Sequence, residues 1–524
     1  MMNITKIQQM TNTQMISKEG GIAYQLTLKE KIAEFFSLGL LNGTFYQTEK
    51  EVLDGARNLL EEALEKEPVF ATKSAIYGAE VNSLKLVPTI WLVYVSKLED
   101  KTLFKQAFSR IIRNPKMLHD FMHIARKGGI REGLGRGVKK VVNEWLYNHL
   151  NEYQVTRNKG KLSEIVRVTH PNNNAPSFDS YMQYLRKEKL TFPRAIALKN
   201  VLSDLNKGVY VESTQKLIEE HKIQLEELKH GIESLSVKDK KSLYMAMYRG
   251  LNYTALILNL VALERVFATR TATVEKHGQR GCFLQEQVIE THIPTDFLEV
   301  ILSKIKDVEG YRRSNMLPFA LINAERMVVT PEIKQAINDL FKKVSEMVFQ
   351  IPASTSLLVN IDTSGSMGDA LTDSLKVSDI ANLFTALVKK SHSSTRLFAV
   401  ASNIEQINLR QQENVTDMVN TIRNTKVGHG TYFEQIMDKY DGEKYVLLLT
   451  DSESADNLEK RWMRTSKPNG AKLIVWQLSP DYIHLSKDAS VVYVCGYSDR
   501  LLGLIQNIIE GKTGQIEEIE QISL

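Results

Sequence analysis

Residues 357–367 read LLVNIDTSGSM, an apolar run that leads directly into an aspartate and two serines. A buried parallel strand carries such a run of Val, Ile and Leu, and Gly365 with its small neighbours favours a loop at the strand's carboxyl end. Open α/β sheets bind ligands at that end. The oxygens of Asp362, Ser364 and Ser366 would suit a hard cation such as Mg²⁺, which prefers oxygen ligands. The alternative is a polar turn that only caps the next helix.

Two later segments favour the metal site. Residues 428–431, GHGT, place Thr431 in a glycine-flanked loop, and residues 445–451, YVLLLTD, predict a second buried strand that ends at Asp451. With the first stretch, this ordered set resembles the von Willebrand A domain and its metal-ion-dependent adhesion site. Relatives commonly have glycine where His429 stands, a departure that could alter the rim of the site but removes no ligand. The resemblance implies that Mg²⁺ is held by Asp362, Ser364, Ser366, Thr431 and Asp451.

The composition is that of a globular protein with more than one domain. At 524 residues the chain exceeds the size of about 250 to 300 residues at which single cores stop growing. Two cysteines, Cys282 and Cys495, imply no disulfide framework and fit a reducing compartment best. The N-terminus lacks a secretory signal, and no stretch approaches the roughly 20 apolar residues of a membrane span. We therefore expect a cytoplasmic protein that does not enter a membrane.

Hydrophobic spacing divides the chain into two kinds of segment. From residue 26 to about residue 343, apolar residues recur at helical spacings and convincing strands are almost absent. Short breaks join these patterns, which predicts stacked helical pairs of a degenerate HEAT type. After about residue 356, strands and helices alternate, as in a parallel sheet covered on both faces. We place the boundary near residues 345–355, with an all-α domain at residues 1–350 and an α/β domain at residues 351–524.

The predicted elements can be compared directly with a structure. In the first domain the clearest helical patterns cover residues 31–41, 49–67, 103–113, 138–150 and 243–266. In the second domain strands are predicted at residues 357–361, 396–401, 445–449, 472–478 and 491–494. Helices are predicted between them at residues 370–391, 414–424, 433–440 and 500–510.

Positive charge is concentrated in residues 101–170. This stretch holds 15 Lys and Arg against 5 Asp and Glu, a net charge of +10, whereas the whole chain carries +5. Such an excess, interleaved with aromatic residues, is typical of nucleic-acid binding, although most charge runs are solvated helix faces. The glycines of residues 133–137, GLGRG, lie among helices and lack the full dinucleotide-binding spacing. We interpret them as a tight helix junction.

A second resemblance covers nearly the whole chain. Residues 35–46, FFSLGLLNGTFY, are similar to the opening signature of the TROVE module, and residues 133–145, 162–170, 217–230 and 243–260 fit its Ro branch. The resemblance implies a monomeric ring of HEAT-like repeats whose ends are joined by the A domain. It also implies binding of misfolded noncoding RNA 3′ ends in the central hole and of Y-like RNA on the outer surface. In bacterial relatives an exoribonuclease is a further partner.

Within this resemblance, Arg167 and His170 match the end of a family helix that bears on Y RNA binding. A histidine there is otherwise often only a helix cap. The preceding loop, residues 154–161, is shorter than in animal homologues, so which of its basic residues contacts phosphate is left open. The candidate RNA-binding residues are Arg126, Lys127, Arg131, Arg136, Lys139, Lys140, Arg157, Lys161, Arg167 and His170.

We expect a binding protein and not an enzyme. No nucleophilic triad, H-E-x-x-H motif, P-loop or paired-carboxylate nuclease motif is recognisable in the sequence. The leading hypothesis is an RNA-binding ring of the Ro type, acting in RNA quality control or as a ribonucleoprotein scaffold. The alternative is a protein-interaction adaptor whose A domain captures an acidic residue of a partner to complete the Mg²⁺ shell.

Overall fold

The computed structural model describes residues 13–41, 47–172, 175–186, 189–278, 281–314, 316–372, 375–479 and 482–524. Residues 42–46 of the TROVE-like signature lie outside these ranges. The chain forms two compact units. The first contains the described residues up to Ile111 together with Leu317–Phe319 and Phe341–Leu524, and the second contains Ile112–Met316 and Ala320–Leu340. The division into domains at residue 350 stays a prediction.

An N-terminal hairpin and a group of helices open the first unit. Thr27 and Thr48 each begin a helix with a capping box, in which the side chain accepts from the amide three residues later and a glutamate there accepts from the cap. Gly39 ends the first helix in the left-handed conformation, with φ of +66°. The elements are β1 Gln14–Ile16, β2 Ile22–Gln25, α1 Leu28–Leu38, α2 Glu49–Lys66, α3 Pro68–Glu80, α4 Leu86–Val95 and α5 Thr102–Ile111.

The helices that follow begin at recognisable caps. Asn114 Oδ1 accepts from Met117 N at 3.0 Å, and Pro115 takes the first helical position, where no N–H is needed. The elements are α6 Pro115–Lys127, α7 Gly135–His149, α8 Glu152–Arg157, α9 Lys159–Thr169, α10 Pro176–Leu185, α11 Pro193–Asn206, α12 Glu212–Glu220, α13 Leu225–Ile232, α14 Val237–Gly250, α15 Tyr253–Val266, β3 Ala268–Gly278, β4 Gly281–Thr291, α16 Thr295–Ile305, α17 Val308–Ser314, α18 Pro318–Met327 and α19 Pro331–Val348.

Helices close in sequence pack on one another in the second unit. Helix α11 contacts α12 and α13, and α14 contacts α15. Helix α6 contacts α9, which brings two parts of the basic stretch together. The predicted helical-repeat architecture is confirmed as a fold class.

Three predictions of local structure were wrong. Strands β3 and β4 pair as a long hairpin in a region predicted to be helical, where residues 268–274, ATRTATV, alternate and are rich in β-branched side chains. The helix predicted at residues 243–266 is two helices, because Asn252 caps a new one by accepting from Ala255 N at 2.9 Å. The helix predicted at residue 370 begins only at Val377, after two short strands.

The α/β domain is built on a six-stranded sheet in the order β13-β11-β10-β5-β8-β9. All pairs are parallel except β8 with β9. All five predicted strands are confirmed to within about a residue. The elements are β5 Leu357–Asp362, β6 Ala370–Thr372, β7 Leu375–Lys376, α20 Val377–Ser391, β8 Arg396–Val400, β9 Ile404–Gln406, α21 Val415–Asn424, α22 Ile436–Lys439, β10 Tyr445–Thr450, α23 Leu458–Thr465, β11 Lys472–Gln477, β12 Ile483–His484, β13 Val491–Cys495, α24 Arg500–Ile509 and α25 Gln515–Glu520.

The N-terminal hairpin is part of the same unit as this sheet. Strand β12 pairs antiparallel with β2, with His484 opposite Tyr24, and forms a three-stranded sheet β1-β2-β12. The buried His484 ring stacks on Tyr493, with ring centroids 3.5 Å apart. Residues more than 450 positions apart in sequence therefore share one sheet.

A buried ion pair lies inside the second unit. The Arg194 guanidinium is 2.7 Å from Glu227 Oε2, and the two side chains are 4% and 5% exposed. Arg194 also donates to the His221 carbonyl at 3.1 Å and to the Thr156 hydroxyl, and its guanidinium lies 5.1 Å from the Tyr153 ring centre. Removing one partner would leave the other charge buried and uncompensated.

We expect Glu227→Ala to lower the free energy of unfolding of this unit by about 3 to 5 kcal/mol. The control is Glu226→Ala, because Glu226 makes an exposed pair with Arg157 at 3.6 Å and its loss should cost at most about 1 kcal/mol. Urea denaturation monitored by circular dichroism measures both changes. Equal losses of unfolding free energy in the two variants would show that the buried pair contributes no more to stability than the exposed pair.

Candidate metal centre and nucleic-acid interface

The predicted carboxylates meet at one edge of the sheet because their strands are neighbours. Strand β5 ends at Asp362, Asp451 follows β10, and the two strands pair in parallel with Ile361 opposite Leu449. All residues of both strands are buried. Thr450 Oγ1 donates to Asp362 Oδ2 at 2.8 Å. Pairing of two hydrophobic strands thus carries both aspartates to the same place.

The loop after β5 folds back on its own aspartate. Ser364 N donates to Asp362 Oδ1 at 2.8 Å, and the Ser364 and Ser366 hydroxyl oxygens are 3.2 Å apart. All three side chains lie at 5% exposure or less. The two serine hydroxyls and the carboxylate therefore face the same small volume.

A third loop brings Thr431 to this edge. Gly365 N donates to the His429 carbonyl at 3.2 Å, which joins the first and third loops. Ala455 N donates to the Thr431 carbonyl at 2.8 Å, which joins the third loop to the one after β10. The side chain of His429 is exposed, and its role in these contacts is carried by its backbone. Gly428 has φ of +115° and packs against Ser402, so a side chain at this position would be both strained and crowded.

The buried polar atoms of the centre fit a cation. Thr431 is 1% exposed, and its hydroxyl has no hydrogen-bond partner among the described residues. Burial raises the pKa of Asp362 to about 6, although hydrogen bonds from Ser364 and Thr450 favour its ionised form. An unpaired hydroxyl and a desolvated carboxylate are both costly unless a positive ion joins them.

The donor set consists of two carboxylates and several hydroxyls. Among the residues that the structure describes, no group of three or more His, Cys, Asp or Glu side chains is placed to hold a metal ion. A cation at this edge would therefore need the serine and threonine oxygens as well. Oxygen donors of this kind suit Mg²⁺ better than softer ions.

The loop after Asp451 is held in an uncommon conformation. Ser452 is buried and has φ of +70°, a backbone angle that residues other than glycine rarely adopt. Its N–H donates to Thr450 Oγ1 at 2.9 Å, and Glu453 N donates to Asp451 Oδ1 at 3.2 Å. Thr450 therefore positions Asp362 and the turn after β10 together. Thr450 was not among the predicted site residues, and its place beside Asp451 was the available signal.

The candidate RNA-binding residues fall into three groups in the second unit. The first group lies where α6 packs on α9. Glu164 Oε2 is 3.0 Å from His119 Nε2, and Glu164 Oε1 is 3.8 Å from Arg126. The pKa of Glu164 is lowered chiefly by its hydrogen bond to His119, with help from the charges of Arg126 and Arg167. The structure thus brings Arg126 and Arg167 together around one carboxylate, with Lys127 in the last turn of α6 beside them.

The second group surrounds the glycine-rich junction between α6 and α7. Gly129 and Gly135 have φ of +68° and +65°, which confirms a tight junction that needs glycine. Arg131 donates to the carbonyls of Gly133 and Leu134 at 2.5 and 3.2 Å, so its guanidinium helps to hold this turn. The remaining members on α7 are Arg136, which is exposed, Lys139, which is half-buried, and Lys140, whose ammonium is 4.0 Å from Glu144.

The third group lies toward a different cleft. Arg157 lies over the Tyr153 ring, 5.6 Å from its centre, and pairs with Glu226. It lines a cleft of about 610 Å³ together with Lys304 and Arg313. Neither Lys304 nor Arg313 was among the predicted residues, because each is distant in sequence from the basic stretch. The half-buried Lys161 lies on α9.

His170 ends helix α9 in the left-handed conformation. Its φ is +49°, and its N–H donates to the Val166 carbonyl at 3.0 Å. Its side chain is exposed. The backbone of His170 is thus a helix cap, as one interpretation predicted, while the imidazole is available to a ligand.

Helical repeats together with an α/β domain form a fold that is shared with a solved structure. The chain has the fold of the Ro proteins. The crystal structure of the Ro (RSR) protein of Deinococcus radiodurans matches with a TM-score of 0.60 and 14% sequence identity, covering 93% of this chain and 100% of that chain. No family model matches the sequence. The predicted resemblance is confirmed as a shared fold.

We expect Asp362→Asn to abolish the thermal stabilisation of the protein by Mg²⁺. In EDTA the variant should melt no lower than the wild type, because the substitution removes a buried charge. Differential scanning calorimetry with Mg²⁺ and with EDTA measures both effects. The matched control is Asp441→Asn, an exposed aspartate of the same domain, which should keep the full Mg²⁺ effect. A Mg²⁺ shift of unchanged size in Asp362→Asn would contradict the assignment.

Proposed function

We propose that the protein is a cytoplasmic RNA-binding protein of the Ro type and not an enzyme. It would bind Y-like noncoding RNA and the single-stranded 3′ ends of misfolded RNA, in quality control or as a ribonucleoprotein scaffold. The observation that carries the proposal is the fold shared with a Ro protein over 93% of the chain. A monomeric state and an exoribonuclease partner belong to the same proposal. No helix in the described part of the chain is both long and apolar enough to span a membrane.

The basic stretch supports RNA as the ligand. Of its net charge of +10, +7 lies in the second unit, where α6, α7 and α9 each carry +2. The charges of Arg126 and Arg167 act on Glu164, and Lys127 lines the same pocket, so three basic side chains lie in the region of this carboxylate. Exposed Lys and Arg on neighbouring helices are suited to phosphates spaced along a backbone.

We further propose that the α/β domain holds Mg²⁺ through Asp362, Ser364, Ser366, Thr431 and Asp451. The buried Thr431 hydroxyl without a partner among the described residues supports this. When bound, the cation would attract a further carboxylate, since Mg²⁺ keeps open positions that water or another oxygen fills. This property also supports the second candidate function, an adaptor that captures an acidic side chain of a partner protein.

We expect the double variant Lys139→Gln/Lys140→Gln to weaken all RNAs to a similar degree, because phosphate contacts carry no sequence information. The slope of log K against log salt should flatten by about 1.4 for a single strand, since each lost phosphate contact contributes about 0.7. Fluorescence anisotropy over a salt series measures the slope.

The control for this experiment is Lys216→Gln/Lys238→Gln, which removes the same charge from exposed positions in the same unit. Lys216 forms an i, i+4 pair with Glu220, as Lys140 does with Glu144. If the slope flattens equally in the control, the effect comes from the loss of net charge and not from phosphate contacts of Lys139 and Lys140. If the slope of the Lys139 and Lys140 variant is unchanged, these lysines are only a solvated helix face.

We expect His170→Asn to weaken a structured Y-like RNA by about tenfold while leaving a plain single strand unchanged, because a hydrogen bond to a charged group contributes about 1.5 kcal/mol. Asparagine is chosen because it tolerates the left-handed backbone of His170. The control is Lys222→Asn, at another exposed left-handed residue of the same unit. Gel-shift titrations with both RNAs decide the outcome. Equal losses for both RNA classes would contradict two separate RNA surfaces.

A further inference from the structure

One carboxylate is shared by two basic groups where α6 packs on α9. Glu164 presents a different oxygen to each of them: Oε2 lies 3.0 Å from His119 Nε2, and Oε1 lies 3.8 Å from Arg126 Nη1. The side chains of Glu164 and Arg126 are 43% and 40% exposed, so an arriving ligand can reach both. The carboxylate therefore links an imidazole to a guanidinium on the proposed RNA surface.

The hydrogen bond decides which ring nitrogen of His119 can take up a further proton. The pKa of Glu164 is lowered, chiefly by this bond, so the carboxylate stays ionised near neutral pH. An ionised carboxylate can only accept, so Nε2 carries the hydrogen of the bond. The proton that charges the ring then enters at Nδ1, which lies 3.8 Å from Asp120 Oδ1. His119 thus lies between two carboxylates, each of which attracts a positive ring.

The other charged groups in this region are basic. The ring centres of His119 and His123 lie 6.4 Å apart, one helical turn from each other on α6. Lys127 lines the same pocket as both histidines, and the charge of Arg167 acts on Glu164. Like charges four residues apart on a helix oppose each other, so a single added proton on the two rings is favoured. A phosphate that approaches these basic side chains meets the negative charge of Glu164 among them.

Histidine is the side chain suited to change its charge between about pH 5 and 8. We propose that His119 and Glu164 form a proton-controlled switch within the RNA-binding surface, in which protonation of His119 neutralises Glu164 and frees Arg126 for an RNA phosphate. While His119 is neutral, Glu164 competes with the phosphate for Arg126. This inference rests on the proposed RNA-binding function and concerns the regulation of that surface.

The test compares the affinity of the full chain for a fully paired RNA hairpin at about pH 6 and about pH 8. The wild type should bind about two- to fivefold more tightly at the lower pH, which is the factor expected from one partly exposed charge pair. Fluorescence anisotropy at constant salt gives both dissociation constants. Calorimetric titration in two buffers of different ionisation enthalpy should show a net uptake of protons when the RNA binds.

Two variants should fix the switch in opposite states. His119→Gln keeps an amide donor for Glu164 but cannot become charged, so at the lower pH it should bind as weakly as the wild type does at the higher pH. Glu164→Gln removes the competing charge, so at the higher pH it should bind as tightly as the wild type does at the lower pH. Both variants should show a smaller change of affinity with pH and a smaller uptake of protons.

Two matched controls alter similar groups outside the switch. His123→Gln removes an exposed histidine of the same helix and should keep the pH dependence of the wild type. Glu144→Gln removes an exposed carboxylate from α7 and should change the affinity equally at both pH values, which leaves their ratio unaltered.

A pH dependence in His119→Gln as large as that of the wild type would overturn the switch while leaving RNA binding intact. Equal affinities of the wild type at the two pH values would have the same meaning, as would a gain in Glu164→Gln no larger than that in Glu144→Gln. A wild type that binds the hairpin at neither pH would overturn the proposed function, and the inference with it.

Discussion

Burial of a carboxylate at the end of a hydrophobic strand is the constraint on which the α/β domain depends. The apolar residues of β5 and β10 draw both strands into the interior, and Asp362 is carried with them to 1% exposure. Both of its oxygens then need partners, which Ser364 N and Thr450 Oγ1 supply. The buried Thr431 hydroxyl in the third loop of this edge has no hydrogen-bond partner among the described residues. The same burial that stabilises the sheet supports the proposed cation site.

Local sequence patterns predicted the residues of this centre but not the long-range contacts of the chain. The apolar run and the oxygen-bearing residues Asp362, Ser364 and Ser366 lie within about ten residues of one another. Consecutive buried strands separated by helices ordinarily pair in parallel. Ser17 Oγ of the N-terminal hairpin donates to the Ser454 carbonyl, a contact between residues more than 430 positions apart, for which a single sequence carries no signal. Hairpin β3–β4 was missed because it lies among strongly helical patterns. The break between α14 and α15 was missed because the apolar spacing continues across Gly250 and Asn252, which end one helix and cap the next.

The basic stretch shows the limits of counting charges. Arg131 helps to hold a turn through two carbonyls, and Arg157 faces another cleft, so residues that are neighbours in sequence have different surroundings. Arg126 and Arg167 are 41 positions apart, and packing of α6 on α9 brings them together. Charge placed on packed helices keeps its geometry, which is what recognition of a phosphate backbone requires. The proposed metal-binding residues belong to the other compact unit, so the two candidate sites are carried by different parts of the chain.

Binding of one structured RNA, with and without a single-stranded 3′ tail, tests whether the chain binds RNA as proposed for a Ro-type protein. Anisotropy titrations over a salt series, in Mg²⁺ and in EDTA, distinguish RNA binding through phosphate contacts from binding that depends on the metal, as in the adaptor function. We expect tighter binding of the tailed RNA, with a log–log slope of about −0.7 for each phosphate of the tail that is contacted, in EDTA as well as in Mg²⁺. Binding that does not change with the tail or with salt, or that disappears in EDTA, would contradict the proposed RNA-binding function.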